Sequence, residues 1–151
     1  MQDNKSNNIL TNDHLLRERV IEILRSNNSG YTHVDSREDL RFESAILQGV
    51  VSNLSIEEIA DMCYYSVSTF KRRFNERYQV PPHRWMLSCR MNIACEILRT
   101  TRASTSDIAT RCGFVNVSHF IACFRRHHGM TPSQYRRDNI TSIKQINIDD
   151  E

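Results

Sequence analysis

The sequence predicts an all-α protein: two helix-turn-helix subdomains joined by a long central helix, with a short amino-terminal helical extension. Three observations predict it. Apolar residues recur at three- and four-residue intervals between turn signals, the period of a helix with one buried face. A unit of two short helices occurs twice, at an offset of about fifty residues. Finally, net positive charge is confined to that repeated region. Residues 53–137 hold 13 Lys and Arg against 6 Asp and Glu, a net +7 inside a chain whose total is +2. The flanks are acidic, at −2 for residues 1–52 and −3 for residues 138–151.

Taken in order, the chain is polar to about Asn8. Leu16, Val20, Ile23 and Leu24 then give a short amphipathic helix over residues 12–25, with Thr11, Asn12 and Asp13 as possible caps. Residues 26–36 read as a loop, so 1–37 form an extension or linker. Helical spacing resumes near Ser36, where Glu38 and Asp39 favour the positive end of the helix. Phe42, Ile46 and Val50, joined by Leu47 and Val51, are its buried face to about Ser52.

Ser55 and Glu58 then form a capping-box pattern, which opens the first helix-turn-helix at residues 55–78. Its first helix buries Ile56, Ile59, Ala60 and Cys63. A turn at Tyr64 and Tyr65 leads to the cap Ser66 and a second helix carrying Phe70 and Phe74. Pro81 and Pro82 end the unit, and a long helix follows over residues 83–100, with Trp85, Leu87, Met91, Ala94, Ile97 and Leu98 inward.

The second unit, residues 104–128, repeats the first. Ser104–Asp107 stands where Ser55–Glu58 stood, Ile108 and Ala109 match Ile59 and Ala60, and Cys112 matches Cys63. After one inserted residue, Val117, Ser118, Phe120, Phe124 and Pro132 match Val67, Ser68, Phe70, Phe74 and Pro82, while Tyr135 answers Trp85. Gly113 supplies the positive φ of the inter-helix turn, Asn116 caps the second helix and Gly129 stops it. Residues 138–151 are polar and acidic, and disorder is expected there.

Duplication with basic outer faces points to double-stranded DNA. Two readers on one face of B-DNA stand about 34–36 Å apart. The central helix, at 1.5 Å per residue, spans roughly 27 Å. A single chain could therefore present two recognition helices to successive major-groove segments, reading an asymmetric site of two boxes as a monomer.

The doubled unit resembles the DNA-binding domain of the AraC/XylS family of bacterial transcription regulators, over residues 38–137. The second copy carries the family signature in Asp107-Ile108-Ala109, Cys112-Gly113-Phe114, Ser118, Phe120, Phe124, Gly129, Thr131-Pro132 and Tyr135-Arg136. The resemblance implies an all-helical fold, binding to promoter DNA and, for most members, activation of transcription through contact with RNA polymerase. Copy one departs at Tyr64 and Gln79, which stand where copy two has Gly113 and Gly129. A non-glycine residue at positive φ costs roughly 1–2 kcal/mol, so either those turns differ or other packing compensates.

Helical angle assigns the outward residues. With Phe70 and Phe74 inward, Ser68, Thr69, Lys71 and Arg72 are the base-contact candidates of copy one, and Arg72 suits a bidentate contact with guanine. By the resemblance, Ser68, Lys71 and Arg72 fall on base-contacting positions. Copy two offers Ser118, His119, Ile121 and Ala122, of which only His119 is a strong donor, while Ile121 and Ala122 suit thymine methyls. Arg73, Arg77, Arg125, Arg126 and Arg136 are the phosphate candidates, and Arg136 with Tyr135 is also expected to close the second subdomain. Copy one should accordingly carry more of the sequence discrimination.

Other classes fit poorly. No glycine-rich phosphate loop and no Ser/His/Asp arrangement suggests catalysis, and no cofactor is expected. Cys123, His127 and His128 lack a fourth ligand, so no metal is expected either. Five cysteines without a CxxC pair read as reduced, buried thiols, and the absence of an apolar h-region or membrane-length apolar run points to the cytoplasm. A helical protein-interaction module is the competing class, which the basic duplicated helices disfavour. Larger family members carry an amino-terminal sensing domain, so the chain reads either as a DNA-binding fragment of such a regulator or as a stand-alone activator. The face of the 12–25 helix would pack on the domain or pair weakly with a second copy.

Overall fold

The computed structural model describes residues 36–149 and, before them, Glu18 and Glu22. The expected helix over residues 12–25 therefore lies outside the described residues, apart from those two glutamates, both of which are helical. Among the described residues there are seven helices and no strand: α1 (Arg37–Val51), α2 (Ile56–Met62), α3 (Val67–Tyr78), α4 (Pro82–Thr100), α5 (Thr105–Arg111), α6 (Val117–His128) and α7 (Pro132–Asp149). They fall into two compact units that divide within α4, between Cys89 and Arg90.

In the first unit the entries of α1, α2 and α3 are each set by a side-chain cap. Ser36 Oγ accepts the Asp39 amide at 3.1 Å, and Ser66 Oγ accepts the Thr69 amide at 3.2 Å. Ser55 and Glu58 form a full capping box, with the Ser55 amide donating to Glu58 Oε2 at 2.7 Å. The core is aromatic. Phe74 is fully enclosed, with ring centroids 5.8 Å from Phe70, 4.5 Å from Tyr78 and 5.5 Å from Trp85. Phe42, Ile46, Ile59, Ala60 and Cys63 complete the centre. Leu87, expected inward, is only half-buried; Met86 and Cys89 take the inward positions on that stretch of α4.

One close approach in this unit carries no sequence signature of the kind used above. A β-carbon on Gly49 would sit 2.3 Å from Ile59 Cδ1 and 2.6 Å from Ile59 Cγ1, so α1 and α2 meet at this glycine. Ile59 is fully buried and cannot simply swing into solvent. Gly49→Ala gains about 1 kcal/mol of helix propensity and loses about 1–3 kcal/mol to overpacking. A lowered melting temperature on thermal unfolding is the expected net result, and an unchanged or raised one would show that the contact yields freely.

The inter-helix turns of the two units have the same geometry. In the first, the Tyr64 amide donates to Asp61 O and the Tyr65 amide to Ala60 O, both at 3.0 Å; in the second, Gly113 donates to Thr110 O at 3.0 Å and Phe114 to Ala109 O at 2.9 Å. Both are Schellman motifs. Tyr64 therefore holds φ 59° where Gly113 holds 81°, and Gln79 holds 58° where Gly129 holds 77°. Of the two possibilities left open by the sequence, compensation is the one realised. The Arg41 guanidinium lies 4.9 Å from the Tyr64 ring centroid, and Gln79 Nε2 donates to Glu76 O at 2.7 Å.

The second unit is built on the later turns of α4. Met91, Ala94, Ile97 and Leu98 are buried, with Ile108, Ala109, Cys112, Phe120, Cys123 and Phe124. Ser104 caps α5 and Asn116 caps α6. Thr131 and Gln134 make a second reciprocal cap: the Thr131 amide donates to Gln134 Oε1 at 2.9 Å and the Gln134 amide to Thr131 Oγ1 at 3.3 Å. Pro132 thus opens α7 from the first helical position. The segment from Asp138 onward, expected to be a disordered tail, is helical to Asp149 as the continuation of α7. No Gly or Pro follows Pro132, so once the cap has started the helix nothing in the sequence stops it.

Candidate nucleic-acid interface

The second helix of each unit, α3 and α6, turns its two phenylalanines inward and a polar face outward. Phe70, Phe74, Phe120 and Phe124 have no exposed surface. On α3, Ser68, Lys71 and Arg72 are exposed, as the helical angle predicts. Thr69 is half-buried, and its hydroxyl accepts from Ser66 Oγ at 2.9 Å, so it belongs as much to the cap as to the outer face. On α6, Ser118, His119 and Ala122 are exposed and Ile121 is half-buried. The His119 ring stands edge-on to Phe114, with centroids 5.4 Å apart, so a half-buried aromatic braces the histidine.

The five arginines assigned to phosphate separate into three kinds. Arg125 and Arg126 are exposed and form no ion pair with a described residue, as an arginine offered to a ligand should be. Arg73 is partly engaged: Nη1 donates to Glu38 Oε1 at 2.7 Å and to the Tyr65 hydroxyl at 2.8 Å, and the guanidinium lies 4.7 Å from the Tyr65 ring centroid. Arg77 and Arg136, also expected at phosphate, are engaged within the fold. Arg77 has a side chain only 10% exposed and is held by Asp39 at 3.2 Å and by Glu43, so its charge is matched inside the first unit. Arg136 donates to the carbonyl oxygens of Leu98 (3.3 Å), Thr101 (3.4 Å) and Ala103 (2.7 Å), where α4 ends. It closes the second unit, and its donors are spent on backbone rather than left for phosphate.

Electrostatics follow the packing. The Tyr65 hydroxyl and then Arg73 hold the Glu38 carboxyl below the usual carboxylate range. Burial raises the Tyr65 phenol, with Glu38 adding to it. The thiols are enclosed: burial pushes Cys112 up to about 12 and raises Cys63, which makes neither a nucleophile at neutral pH. His128 Nε2 lies 3.3 Å from Met91 O and 3.2 Å from Cys95 Sγ, and burial lowers its imidazole below the ordinary histidine value. Among the described residues, no three His, Cys, Asp or Glu side chains gather as a metal site, and no helix is long and apolar enough to cross a membrane.

Sequence reasoning missed Glu38 and Tyr65 as partners of Arg73. Glu38 was legible only as a helix-dipole residue, and a pairing across 35 residues leaves no local signal. A family model described as a helix-turn-helix domain matches residues 59–138, just over half of the chain.

The chain belongs to the AraC-type helix-turn-helix family.

This AraC-type chain is similar to the virulence regulon transcriptional activator VirF of Yersinia enterocolitica, at 28% identity over 114 residues, covering 76% of this chain and 42% of VirF. It is 33% identical over 91 residues to the transcriptional activator RhaS of an Enterobacter species, covering 60% of this chain and 33% of RhaS. The chain thus spans less than half the length of these relatives. Among solved structures it resembles the DNA-binding domain of the global transcriptional factor AdpA in complex with a target DNA. That match has a TM-score of 0.64 and 28% identity, and covers 70% of this chain and 97% of the other. The AraC-type assignment gives the chain the DNA-binding fold of a transcriptional regulator.

Proposed function

We propose that the chain is a sequence-specific transcriptional activator that binds an asymmetric two-box promoter site as a monomer, one box to each helix-turn-helix. The observation that carries this reading is the pair of duplicated helices, α3 and α6, each with a sealed aromatic face inward and, outward, two cations that form no ion pair with a described residue. Ser68, Lys71 and Arg72 read base edges in one box, helped by Thr69 beside the cap. Ser118, His119, Ile121 and Ala122 face the other, and Arg125 and Arg126 hold its phosphates. The activator names of VirF and RhaS support activation, with RNA polymerase as the protein partner. Because the chain spans under half of those relatives, a DNA-binding part of a larger ligand-sensing regulator is the second reading, and it uses the same two helices.

A mobility-shift titration tests the proposal. Binding to duplex DNA should weaken steeply with salt, log K falling by about 0.9 per phosphate neutralised for each unit of log salt. Selection from a random-sequence library should return two dissimilar boxes about one helical turn apart. No binding at low salt would sink the reading, and a single palindromic site would overturn the monomeric two-box arrangement.

A further inference from the structure

The first unit carries an open groove of about 340 Å³ along the seam of α1 and α3, lined on one side by Glu38 and Asp39 and on the other by Arg72, Arg73 and Arg77. Two of those arginines are already paired across it. Arg77 is held in the protein interior, but the Arg73–Glu38 pair is half in solvent, with side chains 44% and 51% exposed. It stands on the recognition helix immediately beside Arg72, at the edge a DNA backbone would approach. The Tyr65 hydroxyl donates to Glu38 and accepts from Arg73, so three side chains close one small ring of hydrogen bonds. Copy two has no equivalent, because Cys123 stands at the position of Arg73 and Phe114 at that of Tyr65.

We propose that Glu38 is a built-in counter-ion that attenuates DNA affinity: its carboxylate neutralises Arg73 and keeps this arginine from acting as a full phosphate contact. The inference rests on the DNA-binding reading above and deepens it. A carboxylate and a phosphate are alternative anionic acceptors for one guanidinium. A phosphate arriving at Arg73 must either displace Glu38 or approach a neutralised pair beside a fixed negative charge. Both routes weaken the contact. The neighbourhood reinforces this, since Glu38, Asp39, Glu43 and Glu76 stand against Arg72, Arg73 and Arg77 on that seam. The ring with Tyr65 holds the carboxylate in place and ionised.

The test is Glu38→Gln in the full chain, which removes the charge while keeping a side chain that accepts from Tyr65. Affinity for a random-sequence duplex, followed by fluorescence anisotropy across a salt series, should tighten roughly twofold to fivefold at low salt, the range of an exposed ion pair. The salt slope should steepen by about 0.9, one added phosphate contact. In an Arg73→Gln background the same substitution should change nothing. Weaker binding by Glu38→Gln would mean that the glutamate positions Arg73 for phosphate, and would overturn the proposal. Equal tightening with and without Arg73 would also overturn it, because the carboxylate would then act only by its general field. Tyr65→Phe, which leaves the charge but opens the ring, should tighten binding by less than Glu38→Gln. A wild-type chain without salt-dependent binding removes the DNA reading itself, whereas a wild type that binds while Glu38→Gln leaves it unchanged removes only the counter-ion.

Discussion

Phe74→Ala is expected to destabilise the first unit by about 3–5 kcal/mol, the cost of deleting a fully buried phenyl ring. The ring is enclosed by Phe42, Phe70, Tyr78 and Trp85, drawn from α1, α3 and α4. No one neighbour can close the cavity without pulling its own helix away from the others. Since small domains hold only about 5–15 kcal/mol in total, this single change consumes a large share of the margin. Phe124→Ala should act similarly in the second unit, where its neighbours are Phe120, His128 and Tyr135. Urea unfolding followed by far-ultraviolet circular dichroism gives the number. Tyr64→Ala serves as a contrast, because that ring is 81% exposed and its loss should be small by comparison. A Phe74→Ala chain within 1 kcal/mol of the parent would contradict the packing described above.

Arg72→Ala should leave stability unchanged and lower discrimination at one base pair by roughly 5- to 150-fold, the equivalent of a bidentate guanine contact worth about 1–3 kcal/mol. The stability half follows from the side chain being exposed with no ion pair to a described residue. The binding half follows from its place on the outer face of α3, near the amino end and beside Ser68 and Lys71. His119→Ala is the matching change on α6 and should cost less discrimination, since one imidazole makes a single directional bond where a guanidinium makes two. Both variants are measured against a panel of single-base variants of the selected site. Uniform weakening by Arg72→Ala across the panel would make it a phosphate contact. A greater loss from His119→Ala would move the reading of sequence to the second unit.

Much of this was legible in the chain itself, for physical reasons that differ by feature. Ser36, Ser55, Ser66, Ser104 and Asn116 act within three residues of where they stand, so their caps could be placed by local pattern alone. The two Phe pairs share one helical face by spacing, and the repeat confirmed that face twice. Charge pairing was not legible. Arg77 and Asp39 lie 38 residues apart, and nothing in either segment announces the other. Arg136 was half-read: its role in closing the second unit was expected, but its bonds to three carbonyls were not, because helix ends expose acceptors only once the chain is folded. The far end of α7 escaped because its polar composition resembles a tail, while the absence of any breaker argues the other way.

The pairing of Arg73 and Arg77 with carboxylates changes how charge is shared between the two helices. By sequence α3 carries four Lys and Arg and α6 only two, which suggests a chain anchored mainly by one unit. With the pairs discounted, Lys71 and Arg72 remain on α3, and Arg125 and Arg126 on α6. On these two helices the cations without an ion pair to a described residue are thus divided evenly. If both helices meet DNA as proposed, a chain so divided would keep part of its electrostatic attraction whenever either unit let go, which is the condition for stepping along nonspecific duplex without leaving it.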